Sequence, residues 1–470
     1  MTLNKFSAFL LPLLVVAACV GPEPLPPAPT TGDMTLEQLM ASDEQAAAQS
    51  LALGNAEWGY LLVDAASGKV LASRHPDTGF PPASTAKLPT MIAALGILRP
   101  TYRFTTQILA QGSLKSGVLA GDIVLAGDGD PLLTAGDLRA LTVRIKDIGI
   151  TSVEGRFIYT SALPVLAEIE STQPATAAYN QGLSGLNIEF NRVTLSRPSG
   201  DGAYTSPSEA LPLVPDFPQG AGAPYDLPVR APDRLAALML QRFAKAEGIV
   251  LPDPEPGIPP PGAVSLAQIR SQPLLEIARA GLEYSNNMLA EVVGLSAARA
   301  LGNSTDTLQG SADTLGVWLE REVTGLSRFA TALANHSGLS TESRITPRQM
   351  TLLLSHALGQ RFDGWRFDSL LSPGGRRDTL RGRFKDPETS YRVWAKSGTM
   401  RYIKGLAGYL DAESGRRLVF ALFMHDPALR NRLEHDPERF SIQSRRTSSD
   451  WRDRTDLFEA ALIRQWIKNY

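Results

Sequence analysis

The 470-residue chain is 43% hydrophobic and 20% charged, with 46 Lys and Arg against 48 Asp and Glu. This is the make-up of a globular protein of two or three domains, and its balanced charge argues against a dedicated nucleic-acid binder, which is normally basic. The single cysteine, Cys19, excludes an internal disulfide or a thiolate cluster, and the five histidines form no HExxH and no close pair, so no local metal motif is present.

The first 19 residues have the form of an export signal. Lys5 precedes an apolar run, Phe6 to Ala18, interrupted only by Ser7 and Pro12. The run is shorter than the roughly 20 residues a bilayer-spanning helix needs, and small residues follow it at a cleavage position. Val16-Ala17-Ala18-Cys19 resembles a bacterial lipobox, which implies a lipid on Cys19 as the first mature residue; the plain alternative is a secretory signal that happens to hold a cysteine. Val20 in place of an aspartate fits outer-membrane sorting in a Gram-negative cell. Residues 20–33 hold Pro22, Pro24, Pro26, Pro27 and Pro29, a stiff extended spacer. The expected location is periplasmic, with membrane contact through the lipid only.

Met34 to Leu53 has helical composition. Trp58 to Asp64 reads as a strand, Ser67-Gly68-Lys69 as a turn, and Val70 to Ser73 as a second strand. Residues 105 to 265 alternate short β-like runs (Ile123 to Leu125, Arg156 to Tyr159, Val193 to Leu195) with loops rich in Gly, Pro and Ser. Pro252 to Gly262 holds six prolines in eleven residues, which speaks against a regular element there. Helical stretches Leu274 to Leu282 and Met288 to Leu301 follow. Three strands come late, Tyr391 to Ala395, Ile403 to Leu410 and Leu418 to Met424, and Asp456 to Ile467 closes the chain as an amphipathic helix. Strands at both ends join one sheet only if the chain termini meet. The expected architecture is α/β (α+β): 34–104 and 271–470 build one unit with a central antiparallel sheet and flanking helices, and 105–270 are a β-rich insertion.

Three short constellations carry chemistry. Ser84-Thr85-Ala86-Lys87 opens an apolar helical run, Leu88 to Leu98. Residues three apart share a helix face, so the Ser84 hydroxyl meets the Lys87 amine; a lysine on an apolar face is partly desolvated and holds its proton weakly. These are the needs of a serine nucleophile with a lysine base. The bland alternative is a capping serine with a surface lysine, and Pro89 predicts a kink. Ser285-Asn286-Asn287 lies between two helices, where Ser285 and Asn287 can point into one cleft or an asparagine simply caps the second helix. Lys396-Ser397-Gly398-Thr399 ends the strand Tyr391 to Ala395; Gly398 lets a ligand approach the backbone, and Lys396 adds positive charge beside two hydroxyls.

In order and context, the three resemble the S-x-x-K, S-D-N, K-T-G set of serine β-lactamases and penicillin-binding proteins. Ser84 and Ser285 stand 201 positions apart, an interval that resembles the D-alanyl-D-alanine carboxypeptidase/endopeptidase family, the class C penicillin-binding proteins. Gly127-Asp128-Gly129-Asp130-Pro131, Tyr179-Asn180 with Leu186-Asn187, Ser271 to Leu274, Ser337-Gly338-Leu339-Ser340 and Leu406-Ala407-Gly408-Tyr409 look like that family too, and the resemblance spans residues 55 to 425. It implies a β-lactamase/transpeptidase-like fold and a serine-type D-alanyl-D-alanine carboxypeptidase, acting also on D-alanyl cross-links. Peptidoglycan stem peptides are then the substrate and β-lactams covalent inhibitors, with no cofactor, metal or nucleic acid. By the same resemblance Ser84, Lys87, Ser285, Asn287 and Lys396 are catalytic, and Ser397, Gly398, Thr399 and Met400 bind substrate.

Two departures stand out. Ser397 replaces the usual threonine and keeps its hydroxyl. Asn335-His336 replaces an Asp-Gly and is expected to place an imidazole near the cleft, where it would alter side-chain preference. Competing readings are an inactive cell-wall-binding lipoprotein on the same fold, a β-lactamase of that fold, and a Ser-His-Asp hydrolase; the last lacks a G-x-S-x-G elbow. Asp128-Gly129-Asp130 suggests calcium only superficially, since no EF-hand loop follows, and a tight turn is expected.

Overall fold

The computed structural model describes residues 34–195, 213–214, 225–302, 306–327, 333–376 and 378–470; the expected export signal with Cys19 and the expected spacer over 20–33 lie outside them. The helical stretch expected over 34–53 is two helices, α1 (Leu36–Ser42) and α2 (Glu44–Ser50). Asp43 between them is extended, and its carboxylate accepts from the N–H groups of Gln45 and Ala46, which caps the second helix and ends the first. β1 (Glu57–Asp64) and β2 (Val70–Arg74) form the first hairpin. A 3-10 turn, Ala83–Ala86, leads into α3 (Lys87–Ile97). Pro89 falls in the first turn of α3, where N–H groups lack intrahelical acceptors, so the helix runs on through it to Ile97.

The middle of the chain runs β3 (Thr105–Lys115), β4 (Val118–Gly127), α4 (Ala135–Asp147), β5 (Ser152–Val153), β6 (Phe157–Ser161), β7 (Arg192–Leu195), β8 (Tyr225–Pro228), α5 (Pro232–Ala246), β9 (Pro254–Pro256) and β10 (Val264–Arg270). β10-β3-β4-β6-β9 make one sheet, with β5 beside β4, and β7 pairs with β8. β9 corrects the expectation for the proline run: three of its residues pair in parallel with β6 at the sheet edge, where proline's missing donor is tolerated. The region also contains α4 and α5, whose apolar faces close a core of its own with Ile123, Leu125 and Phe157.

Beyond it come α6 (Leu274–Glu283), α7 (Asn287–Ala300), α8 (Leu308–Glu322), α9 (Pro347–Gly359), β11 (Ser372–Pro373), β12 (Val393–Met400), β13 (Ile403–Asp411), β14 (Arg417–His425), α10 (Pro427–His435) and α11 (Ile442–Asn469). The chain ends do meet: β1 pairs antiparallel with β14, Trp58 opposite Met424, in a sheet ordered β11-β12-β13-β14-β1-β2. Both faces are covered. Leu61, Val63, Val419, Ala421 and Phe423 point to a core shared with α3, α6, α7 and α9. Trp58, Tyr60, Leu62, Phe420 and Leu422 point to a second core against α1, α2 and α11. Alternate residues thus serve opposite cores, which is why β1 and β14 read as unbroken apolar runs. Each of the valine, leucine and phenylalanine side chains among them contributes about 1.5–3 kcal/mol on burial.

Two boundaries differ from expectation. Tyr391 has φ 57° and belongs to a turn, so the strand expected to end at Ala395 starts later and carries the whole of Lys396 to Met400 inside it, Lys396 opposite Ala407 and Thr399 opposite Lys404. α11 begins at Ile442, capped by the Ser441 hydroxyl, because its first turns are arginine- and serine-rich and show no apolar period to read.

Candidate active site

Ser84 lies in the 3-10 turn and Lys87 is the first residue of α3, one turn later. Ala83, just before the serine, has φ 46°, a left-handed conformation that costs about 1–3 kcal/mol for a residue with a Cβ. The Lys87 amine is buried and sits 3.0 Å from Ser84 Oγ, 2.8 Å from Asn287 Oδ1 and 2.9 Å from the Ser337 carbonyl oxygen. Burial, and then the neighbouring Lys396, hold its pKa well below the ordinary lysine value, with Glu291 acting weakly the other way. A neutral amine has two N–H donors and one lone pair. Asn287 Oδ1 and the Ser337 carbonyl take the two donors, which leaves the lone pair for the Ser84 hydroxyl.

Ser285 occupies the turn between α6 and α7 with φ 55°. The choice left open for the asparagines resolves by position. Asn286 caps α7, its Oδ1 accepting from Leu289 N–H at 3.1 Å, while Asn287 turns inward to Lys87 and donates from Nδ2 to the Tyr179 carbonyl at 3.1 Å. Asn287 therefore ties the insertion to the serine–lysine pair.

Lys396 is buried on β12, its amine donating to the Ser397 carbonyl at 2.7 Å; burial brings its pKa down to about 7. Gly398 has a different reason from the one expected. A Cβ there would stand 2.6 Å from the Pro82 carbonyl oxygen and 2.9 Å from Ser84 N, so the glycine admits the turn that carries Ser84, not a ligand. Thr399 and Met400 line the open cleft, whereas Lys396, Ser397 and Gly398 are buried.

The model of the Peptidase S13, D-Ala-D-Ala carboxypeptidase 3 (S13), family matches residues 39–212 and 217–439. The chain belongs to this family. It is similar to a carboxypeptidase of Mycobacterium tuberculosis, 27% identical over 88% of this chain and 88% of that protein. It is also similar to the D-alanyl-D-alanine carboxypeptidase DacB of Haemophilus influenzae, 24% identical over 78% of this chain and 85% of the relative. Among solved structures, penicillin-binding protein 4 of H. influenzae shares the fold, with a TM-score of 0.73, 21% identity, and coverage of 88% of this chain and 97% of that one.

In this S13 carboxypeptidase the cleft encloses about 1380 Å³ and is lined by Ser84, Ser285, Asn287, Thr399 and Met400, with Tyr179 and its neighbours from the insertion on another wall. Asn335 and His336 do not reach it, which corrects their expected role. His336 is buried with Nε2 2.7 Å from Ser311 Oγ, and its ring fills the space a Cβ on Gly294 would need; burial alone pushes its pKa down to about 3. Asn335 Oδ1 accepts from Gly338 N–H at 2.9 Å. Both residues shape the loop whose Ser337 carbonyl receives Lys87. Asp130 accepts from Leu132 N–H two residues on, the work of a tight turn, and Asp128 accepts from Thr105 N–H at the start of β3.

Glu291 was not picked out from sequence. It is wholly buried one turn after Asn287 on α7, and its carboxylate accepts from His336 N–H at 3.0 Å and Ser337 N–H at 2.8 Å. The available signal was its i+4 spacing from Asn287, a charge facing an otherwise apolar helix face.

Proposed function

We propose that the chain is a serine-type D-alanyl-D-alanine carboxypeptidase working through an acyl-enzyme. The observation that carries this reading is the buried Lys87 amine 3.0 Å from Ser84 Oγ with its two other directions occupied by acceptors. Ser84 Oγ attacks the carbonyl carbon of the penultimate D-alanine and its proton passes to Lys87 Nζ. The oxyanion is held by the N–H groups of Ser84 and Thr399, an arrangement supported by the close approach of β12 to the serine turn. As the C–N bond breaks, Ser285 gives its proton to the leaving amine and regains one from protonated Lys87, with Lys396 tuning it, so that Lys87 is neutral again and Ser285 keeps its hydroxyl. Ser397 and Thr399 receive the free carboxylate, and Asn287 orients Lys87 and the substrate. Water then attacks the ester, Lys87 again serving as base, and releases Ser84. β-Lactams acylate the same serine.

A cleft of about 1380 Å³ exceeds the upper end, near 1,000 Å³, of ordinary small-molecule pockets. That room favours a second activity, hydrolysis of D-alanyl cross-links, where the leaving group is a diamino acid of a neighbouring stem. The test uses free pentapeptide and cross-linked muropeptide dimers with the wild type and Ser84→Ala. The wild type releases D-alanine and consumes dimers; the variant does neither and takes no covalent label from fluorescent penicillin. Persistent labelling of Ser84→Ala removes the nucleophile, and intact dimers beside released D-alanine remove the endopeptidase half.

The protein is further proposed to be exported to the periplasm and tethered through a lipid on Cys19. The apolar run before Cys19 and the proline-rich spacer after it support this. The mass of the mature N-terminus is the measurement that decides it.

A further inference from the structure

The segment after β14 supplies part of the cleft wall. Arg430 from α10, Arg439 from the connection, and Arg445, Arg446 and Arg452 from α11 line the same cleft as Ser84, together with Arg401 in the turn directly after β12. Three carboxylates, Asp226, Glu342 and Glu434, line it as well. Glu434 is taken up by Arg430 at 2.8 Å, and Arg452 pairs with Asp453 at 3.1 Å. Arg401, Arg439 and Arg445 are positioned by neutral groups. Arg401 donates to the Arg439 carbonyl and lies 5.5 Å from the Phe440 ring. Arg439 stacks on the same ring at 5.0 Å, and Arg445 Nε donates to the Phe440 carbonyl at 3.1 Å. Carbonyl oxygens and ring faces orient a guanidinium without cancelling its charge. Burial, and then the nearby Arg445, depress the pKa of Arg401, as expected where like charges crowd a half-buried group.

The direction of the substrate decides what meets this wall. In the reading above, the leaving carboxylate lies toward Lys396 and Ser397, and the scissile carbonyl lies at the Thr399 N–H. The rest of the stem therefore runs the opposite way along β12, past Met400 to Arg401. An extended peptide advances about 3.3 Å per residue, so the residues just upstream of the scissile bond arrive at the arginines. A stem peptide carries there the free α-carboxylate of its γ-linked glutamate. Arginine suits that partner, because its planar fork matches a carboxylate.

We propose that the arginine wall, centred on Arg401, Arg445 and Arg446, is a subsite for the glutamyl α-carboxylate of the stem, and that it makes the enzyme select stems whose glutamate is free over those in which it is amidated. The proposal rests on the carboxypeptidase reading. Its test compares two N-acylated pentapeptides ending in D-Ala-D-Ala with lysine at the third position, one with γ-linked glutamate and one with its α-amide. Wild type and the double variant Arg445→Gln/Arg446→Gln are assayed side by side, and penicillin acylation of Ser84 reports that the catalytic centre is intact.

A charge-assisted contact of this kind predicts a wild-type preference of about tenfold in kcat/KM for the acid, carried by KM and fading at high salt. In the double variant the preference disappears, while kcat/KM for the amide and the rate of penicillin acylation stay at wild-type values. Equal turnover of the two peptides by the wild type, or a preference that survives in the double variant, overturns the subsite and leaves the carboxypeptidase reading standing. No turnover of either peptide and no penicillin label overturn that reading and the subsite with it. If the double variant instead loses only binding to phosphatidylglycerol vesicles, the wall is a membrane contact and the proposal is wrong.

Discussion

A methyl group at Gly398 would meet the Pro82 carbonyl oxygen at 2.6 Å, Ser84 N at 2.9 Å and Thr85 N at 3.0 Å, all main-chain atoms that cannot swing aside. The neighbouring Ala83 already holds a left-handed φ, so the serine turn has little freedom to yield. Gly398→Ala is expected to displace Ser84 from Lys87 and from the Thr399 N–H. Misplacement by about 1 Å costs on the order of 10²-fold in rate, and overpacking lowers stability by about 1–3 kcal/mol. Penicillin acylation rates and urea unfolding of the same variant measure the two effects; an acylation rate equal to wild type rejects the argument. Motif glycines of this kind are visible in sequence, but the reason for them is not. The chain shows that Gly398 follows Lys396 by two, not that another backbone leans on it.

At the level of elements, the site depends on α7 holding the 335–338 loop. Asn287 and Glu291 project from one face of α7, the first to Lys87 and the second to the loop's N–H groups. His336 anchors the loop against Gly294 of α7 and Ser311 of α8. Its pKa is about 3 in the fold against 6.5 as an ordinary histidine. Below pH 6.5 the unfolded chain takes up a proton that the folded one refuses until about pH 3. Stability from this group is therefore lost as pH falls through that window, at up to about 1.4 kcal/mol per pH unit. Glu291, whose pKa burial raises, contributes in the opposite sense, so the measurement is a difference: urea midpoints of wild type and His336→Asn between pH 7 and pH 4. The wild type is expected to lose stability more steeply than the variant, and parallel slopes would contradict the assignment. The imidazole looked like a cleft residue because it adjoins the Ser-Gly-Leu run; burial turned it into packing.

For the whole molecule, the sheet closes by joining the two ends of the chain, and the insertion returns to the cleft through Tyr179, whose carbonyl accepts from Asn287. α1 and α2 pack with α11 on the face of the sheet opposite the α3 core. The expected mature N-terminus is Cys19 carrying diacylglycerol and a further acyl chain, since a single chain gives only marginal binding. Mass spectrometry that finds an unmodified Cys19, or cleavage elsewhere, removes the anchor.

The chemistry was determined locally. Ser84 and Lys87 stand three apart at the opening of an apolar helix, Asn286 and Asn287 stand at the start of another, and Lys396 to Thr399 follow a strand-like run; spacing along a helix or strand fixes which side chains share a face. The run of hydrophobic residues in β1 and β14 likewise reveals strands covered on both sides. What spacing cannot carry is contact between residues 200 positions apart, such as Asn287 with Lys87, or a loop carbonyl such as that of Ser337, whose direction depends on packing alone. The same limit hid Glu291, misplaced His336, and left the arginines of α10 and α11 without a partner until the fold laid them along the cleft that holds Ser84. Their exposed, polar turns have no apolar period, and only tertiary structure decides which surface a polar helix faces.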